Sequence, residues 1–267
     1  HMGDPDFHDV PVEQLLSPEW IAMRRVSISE RAQPDVAAWA PPAPESTETT
    51  HLSVLDRDGN AVALTTTLNG LFGSGILVRA GGFFLNNELD DFSIQTGVPN
   101  QFGLVGNDAN SIQPRKRPLS SMSPTIVRGG DGRVLMVAGS PGGPRIISAT
   151  LQVLLRVLVL EQGLGDAVRS PRLHQQWSPQ ETLFERDVDG GWEAALLAAL
   201  RERGHTIDEV QRSLGSVQAI LVGPDGEVIA SSDPRRGGAA GIEGLGVVAP
   251  ALPPRQGAPV LAESKPD

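Results

Sequence analysis

The sequence predicts an α+β fold in which helices pack on stacked antiparallel sheets. Two hairpins are the main observations. In the first, the alternating residues 51–55 and the β-branched run 61–68 flank the turn Asp-Arg-Asp-Gly-Asn. In the second, residues 217–222 and 227–231 flank Gly-Pro-Asp-Gly. Segments with helical spacing lie between the two hairpins, so strands dominate both ends of the core and helices its middle.

The other predicted elements follow from periodicity and from turn residues. Further strands are expected at 82–85, 125–127 and 134–138, and helices at 11–28, 145–162 and 192–203. The helix at 145–162 is apolar on most sides, which predicts that it is buried on most sides.

Three zones are predicted along the 267 residues. Residues 1–48 combine a short helical piece with a Pro-rich linker, which is typical of extended and exposed chain. Residues 49–241 form the folded core. Residues 242–267 are again rich in proline and lack periodicity, which predicts a loosely attached tail.

The composition excludes several classes of protein. The chain has 32 acidic and 22 basic residues and a net charge of −10, which argues against nucleic acid or an anionic membrane as the partner. It has no cysteine, which removes disulfides, thiolate catalysis and Cys-zinc sites. No motif indicates a cofactor or a metal site, and His51, His174 and His205 are expected to be structural.

The first chemical feature is Thr49, which lies where the Pro-rich linker meets the first strand. Backbone cleavage between Glu48 and Thr49 would give Thr49 a free α-amino group, which can act as base for its own hydroxyl. A pair of threonines at a strand start is also ordinary β-propensity, so the prediction depends on the rest of the chain. The hairpin that follows returns Thr67 to the neighbourhood of Thr49.

A glycine-rich turn and two polar clusters follow. Residues 139–144, Gly-Ser-Pro-Gly-Gly-Pro, precede a helix, where backbone N–H groups can form an oxyanion hole. Residues 86–91 place carboxylates beside carboxamides, which suits an ammonium group, and the hydroxyls of residues 117–124 suit a carboxylate. Each motif alone is more typical of an ordinary turn.

In their order along the chain, these motifs resemble the small catalytic subunit of the γ-glutamyltransferases, members of the N-terminal nucleophile hydrolase superfamily. The most specific match is Pro-Leu-Ser-Ser-Met-Ser-Pro-Thr at residues 118–125, and the similarity is dense from residue 49 to about residue 236. Residues 3–7, Gly-Asp-Pro-Asp-Phe, are similar to the end of the family's large subunit. The resemblance implies the stacked αββα fold of that superfamily, with roughly its C-terminal half in this chain.

The resemblance also implies a role for each matching position. Thr49 is expected to be the nucleophile of both autocleavage and catalysis, with Thr67 hydrogen-bonded to it. The oxyanion hole is expected at Gly142 and Gly143. The α-ammonium site is expected at Asn69, Glu88 and Asp91, and the α-carboxylate site at Ser120 and Ser121.

The implied activity is hydrolysis or transfer of γ-glutamyl amides such as glutathione, through a γ-glutamyl ester on Thr49. Water or an amino acid or peptide would accept the glutamyl group. Two alternatives stay open: an amidohydrolase similar to the cephalosporin acylases, and a catalytically silent fragment that only binds or assembles. Because the family's large subunit supplies the other half of the fold, a large-subunit-like chain or self-association is expected. Family members are often periplasmic or secreted; this sequence shows no signal peptide, and the compartment is left open.

Overall fold

The computed structural model describes residues 2–32, 49–176, 180–186, 191–211, 213–242 and 246–249. The predicted linker over residues 33–48 and most of the predicted tail lie outside these residues, and the zone boundaries stay predictions. Within the described part of the chain, no helix is long and apolar enough to cross a membrane.

The elements run in the following order. The helices are α1 (Val12–Leu15), α2 (Pro18–Val26), α3 (Arg145–Leu158), α4 (Leu164–Arg169) and α5 (Ala194–Glu202). The strands are β1 (Thr50–Leu55), β2 (Ala61–Thr66), β3 (Leu77–Val78), β4 (Phe83–Phe84), β5 (Thr125–Arg128), β6 (Val134–Gly139), β7 (Leu173–His174), β8 (Thr182–Glu185), β9 (Ile207–Val210), β10 (Gln218–Val222), β11 (Val228–Ser232), β12 (Ala240–Ile242) and β13 (Gly246–Ala249).

The central layer is an antiparallel sheet with the strand order β11-β10-β6-β5. Both predicted hairpins are present, because β1 pairs with β2 and β10 pairs with β11. Helices α3 and α4 cover one face of the sheet, and together with it they form the main apolar core. Its fully buried members are Met136, Ala138, Ala149, Val153, Leu164, Ala167, Val168, Val217 and Ala219.

The β1–β2 hairpin stacks on the other face of the central sheet, against β6 and β10. Its inward side chains are small or polar, and Ser53 Oγ donates to the Gln218 carbonyl oxygen at 3.1 Å. Its outward side chains are large and apolar, and each is exposed by 42–50%: Leu52, Val54, Val62 and Leu64. The hairpin therefore buries its polar face and exposes its apolar face.

Two predictions about the fold were wrong. The helix expected at 11–28 is two helices, because Ser17 caps the Trp20 amide and Pro18 begins a new helix while lacking the N–H that would continue the first. Helix α3 is not buried on most sides, since one apolar face is exposed, with Ile147 and Leu151 about half accessible. Past residue 241, β12 pairs with β13, and the boundary of the predicted tail stays a prediction.

Two regions were not predicted at all. Strands β7, β8 and β9 form a third sheet, in which β8 pairs with β9 in parallel. Helix α4 connects α3 to this sheet. All four residues of β8 are buried, so the strand has no polar–apolar alternation from which it could be recognised.

A group of four buried charged side chains, called here the ion cluster, fastens this third sheet to the core. Its members are Arg172, Glu185, Asp233 and Arg235. Arg172 Nη2 lies 2.6 Å from Asp233 Oδ2, and Arg235 Nη2 lies 2.6 Å from Glu185 Oε2. Burial lowers the pKa of the Arg172 guanidinium, and the charge of Asp233 opposes that shift. Each charged group of the cluster is therefore paired with an opposite charge inside it.

Candidate active site

Thr49 lies at the entrance to β1, and only 5% of its surface is exposed. Its Oγ1 donates to Thr67 Oγ1 at 3.1 Å, and Thr67 Oγ1 also accepts from the Asn69 amide at 2.9 Å. The β1–β2 register explains this contact, because Thr50 pairs with Thr66 and the residues just outside that pair face each other. Glu48 is outside the described residues, so cleavage before Thr49 stays a prediction.

Arg236 also holds Thr49, and sequence reasoning missed it. Its Nη1 donates to the Thr49 carbonyl oxygen at 3.2 Å, which fixes the first peptide of β1. The only signal in the sequence is a second arginine after Asp233-Pro234-Arg235, and nothing in that pattern points to a partner 187 positions away.

His51 connects the nucleophile strand to the strand that leads to the glycine turn. Its ring nitrogens bond to Thr65 Oγ1 at 2.7 Å and to Ser53 Oγ at 3.1 Å. Burial lowers the pKa of His51 to about 4, so the ring is neutral at pH 7. A Cβ on Gly139 would lie 2.2 Å from the ring, so glycine alone permits this packing. His51 is therefore structural here, and His174 bonds similarly to Ser148 and Gln176.

The glycine turn, where the oxyanion hole is predicted, has a backbone conformation that favours glycine. Gly142 and Gly143 have φ values of 134° and 56°, which side chains with a Cβ rarely adopt. Ser140, fully buried, accepts from the Ser216 amide at 2.8 Å and so fixes the turn to the chain before β10. Among the hydrogen bonds of the described residues, none uses the amide of Gly142 or Gly143 as donor, so both can donate to a substrate oxygen.

The predicted ammonium site forms around Asn69. This residue has a φ of 72°, and its Nδ2 donates to Asp91 Oδ1 at 3.2 Å and to the Asn87 carbonyl oxygen at 3.3 Å. Glu88 and Asp91 lie on one 3₁₀ turn, Glu88–Asp91. Burial, followed by the hydrogen bond and the charge of Glu88, raises the pKa of Asp91 to about 7. A bound cation would favour the ionised form of both carboxyls.

The predicted carboxylate site lies in a loop that side-chain hydrogen bonds hold in place. Ser120 Oγ accepts from the Met122 amide at 3.1 Å, and Leu119 N donates to Asn110 Oδ1 at 2.9 Å. Asp4 accepts from Arg117 N at 2.8 Å and from Arg117 Nε at 3.0 Å, and these bonds lower the pKa of Asp4. The segment similar to the end of a large subunit thus contacts the catalytic segment directly.

One cavity of about 290 Å³ joins these groups. It is lined by Thr49, Thr67, Asn69, Glu88, Asp91, Ser120, Ser121 and Gly143, and its apolar wall includes Phe92, Phe102 and Leu104. Among the predicted site residues that the structure describes, Gly142 alone does not line it and packs against Gly215. The structure therefore brings the predicted residues together, and their chemical roles stay predictions.

The stacked sheets, with Thr49 at the start of a strand and the glycine turn nearby, fit the class of N-terminal nucleophile hydrolases, as the sequence predicts. The family model for γ-glutamyltranspeptidase matches residues 1–242, and the chain belongs to that family.

Individual relatives agree with this assignment. The glutathione hydrolase proenzyme of Escherichia coli is 44% identical over 242 residues, which are 88% of this chain and 40% of that protein. The chain thus spans about two fifths of the length of such relatives. A mutant γ-glutamyltranspeptidase from Helicobacter pylori, solved by crystallography, is 46% identical with a TM-score of 0.66, covering 70% of this chain and 100% of that chain. Cephalosporin acylase from Bacillus halodurans is 25% identical with a TM-score of 0.71, covering 88% of this chain and 40% of that chain.

Proposed function

We propose that this chain is the catalytic part of an enzyme that hydrolyses γ-glutamyl amides such as glutathione, or transfers their glutamyl group to an amino acid or peptide. The observation that carries the proposal is a single cavity in which Thr49 faces both an acidic cluster and a pair of serines. An acidic cluster suits an α-ammonium group, and serine hydroxyls suit an α-carboxylate, so the cavity fits the two charged groups of a glutamyl residue.

In this mechanism, Thr49 Oγ1 attacks the γ-carbonyl carbon of the substrate. Its proton passes to the α-amino group of Thr49, which then protonates the departing amine. The amides of Gly142 and Gly143 stabilise the oxyanion that forms at the carbonyl oxygen. Water or an acceptor amine next attacks the γ-glutamyl ester and restores the Thr49 hydroxyl. The α-amino group exists only after cleavage before Thr49, which is consistent with the name proenzyme carried by a relative.

The acidic cluster favours this substrate over that of the acylase alternative. A glutaryl group differs from a γ-glutamyl group by the missing α-ammonium. Without a cation nearby, ionising both Glu88 and Asp91 is unfavourable, because burial and the neighbouring Glu88 raise the pKa of Asp91. A glutaryl amide has no cation to place beside these two carboxyls, whereas the α-ammonium of a γ-glutamyl amide neutralises them.

A large-subunit-like chain is the partner that we infer for the exposed apolar faces. The outward face of the β1–β2 hairpin and the free face of α3 together expose large side chains that a separate soluble domain would normally bury. Since the relatives are more than twice as long as the matched segment, the remaining part of such a protein is the natural cover. Self-association of this chain is the alternative, and native mass spectrometry distinguishes the two.

The substitution Thr49→Ala tests the proposed chemistry. We expect the wild-type assembly to hydrolyse a γ-glutamyl anilide and Thr49→Ala to be at least about 10³-fold slower, because the variant lacks the hydroxyl that forms the proposed ester. Mass spectrometry should show cleavage before residue 49 in the wild type and not in the variant. The matched control is Thr50→Ala, which removes the next hydroxyl along β1, an exposed one.

Two results would contradict the proposal. Equal turnover of a glutaryl anilide and a γ-glutamyl anilide would indicate an acylase. An uncleaved, inactive wild-type chain in the presence of a large-subunit-like partner would indicate the silent fragment.

A further inference from the structure

The two ends of the proposed glutamyl site lie on separate, irregular segments of the chain. Asp91 ends the 3₁₀ turn Glu88–Asp91, and Ser120 lies in the loop that precedes β5. Neither segment belongs to a sheet, so ladder hydrogen bonds do not set the distance between them. That distance matters because the α-ammonium and the α-carboxylate of a glutamyl group are bonded to the same carbon atom.

Asn110 bridges the two segments with its side chain. It ends the 3₁₀ turn Asp108–Asn110, and only 5% of its surface is exposed. Its Nδ2 donates to the Asp91 carbonyl oxygen at 2.7 Å, and its Oδ1 accepts from the Leu119 amide at 2.9 Å. Leu119 is the residue directly before Ser120, so both bonds end at or beside a residue of the proposed site.

The bonding partners dictate an asparagine at this position. The Asp91 carbonyl oxygen can only accept and the Leu119 amide can only donate, so the bridging group must carry one donor and one acceptor. The backbone of Asn110 is held as well, because its carbonyl oxygen accepts from the Ser93 amide at 2.9 Å. A carboxylate would repel the Asp91 carbonyl oxygen, and the longer glutamine would push the segments apart.

We propose that Asn110 is a positioning residue that fixes the α-ammonium end of the substrate site to the α-carboxylate end. It does not take part in the chemistry. With the bridge intact, the separation of the two ends is fixed, so a ligand with both charged groups gains both interactions without ordering the loops. Without the bridge, each end still binds its own group, but the two ends are no longer coupled. This inference rests on the proposed function for the substrate class.

Three ligands measure this coupling directly. L-Glutamate carries both groups, glutarate lacks the α-ammonium, and 4-aminobutanoate lacks the α-carboxylate. Their affinities can be measured by calorimetry on the assembled protein, without any turnover. In Asn110→Ala we expect L-glutamate to bind about tenfold more weakly, since two buried hydrogen-bonding groups lose their partner. Glutarate and 4-aminobutanoate should each weaken by less than about threefold, because each uses one end only.

The matched control is Asn107→Ala in the same loop. Asn107 is exposed, and its Oδ1 caps the Ala109 amide at 3.0 Å without reaching either end of the site. All three affinities should stay within about twofold of the wild type in this variant. If Asn110→Ala does not fold, Asn110→Asp replaces it, because it keeps the acceptor for Leu119 and replaces the donor to Asp91 with an oxygen that repels the Asp91 carbonyl.

The outcomes separate this inference from the proposed function. Unchanged L-glutamate binding in the Asn110 variants, or an equal loss for all three ligands, overturns the inference even if the enzyme hydrolyses γ-glutamyl amides. Selective loss of L-glutamate binding supports the inference even if hydrolysis is absent and the proposed chemistry fails. A wild-type assembly that binds none of the three ligands overturns the inference together with the substrate class.

Discussion

The ion cluster is buried and the carboxyls of the active-site cavity are partly buried, and charge is arranged in opposite ways in the two regions. In the cluster, Arg172 meets Asp233 and Arg235 meets Glu185, and all four side chains are almost wholly inaccessible. In the cavity, Glu88 and Asp91 are neighbours of like charge, and the pKa of Asp91 is raised to about 7. Among the described residues that line the cavity, none carries a positive charge.

The difference separates scaffold from site. The cluster is complete without a ligand, so its contribution is to hold the third sheet against the core. The carboxyl pair of the cavity has no such opposite charge among the described lining residues, and in the proposed function a substrate ammonium would supply it. Perturbed carboxyls in a cavity are candidates for function, whereas buried and paired charges indicate architecture.

Removing one member of the cluster should produce the largest effect. Asp233 accepts from Arg172 Nη2 at 2.6 Å and from the Val217 amide at 2.8 Å, so Asp233→Ala leaves a buried guanidinium without its counter-charge. We expect the free energy of unfolding to fall by about 3–5 kcal/mol in chemical denaturation. The control Asp166→Ala breaks the exposed pair with Arg169 and should cost less than about 1 kcal/mol. Equal losses in the two variants would remove the distinction between this cluster and a surface pair.

A change in the cavity should instead affect activity and leave stability nearly intact. Thr67→Val keeps the shape of the side chain and removes the hydroxyl that bonds Thr49 Oγ1. We expect kcat to fall by roughly 10–100-fold, because the nucleophile loses its orienting partner, with little change in the binding of L-glutamate. The control Thr66→Val removes an exposed hydroxyl one residue earlier in the chain. An active Thr67→Val enzyme with normal kcat would show that this contact does not orient the nucleophile.

The two regions also differ in how far the sequence could predict them. The hairpins, the glycine turn and the residues of the cavity have local signals: alternation, turn residues and a specific hydroxyl-rich run. The contact of Thr49 with Thr67 followed from hairpin register alone. The ion cluster joins Arg172 to Asp233 across 61 positions, and Arg236 reaches Thr49 across 187. No local pattern encodes such contacts, because they depend on how the sheets pack.

Burial was the least predictable property, and α3 shows why. Its sequence is apolar on most sides, which predicts that the helix is buried on most sides. The described residues cover only one of those sides, at the core against the central sheet, so Ile147 and Leu151 remain exposed. The β1–β2 hairpin repeats this pattern with its apolar outer face. A sequence encodes the faces that become covered, and the covering chain need not be part of that sequence.

The smallest effect, and the sharpest test of the comparison, is the pH dependence that Asp91 should introduce. Its pKa is about 7 in the folded protein and 3.8 ordinarily, so the folded state binds more protons than the unfolded state between these values. Stability should therefore fall as pH rises from about 4 to about 7, and Asp91→Asn should melt at a higher temperature than the wild type at pH 8.

Ligand binding should show the opposite slope, because an ammonium requires the ionised carboxyl. The affinity for L-glutamate should weaken about tenfold for each pH unit below 7, and this slope should vanish in Asp91→Asn. Affinity is the suitable quantity, since the Thr49 α-amino group would add its own titration to kcat. Asp131→Asn, in the exposed β5–β6 turn, should keep both slopes. If the stability of the wild type and its affinity for L-glutamate rise together with pH, the fold does not raise the pKa of Asp91. The contrast with the ion cluster would then no longer identify the site.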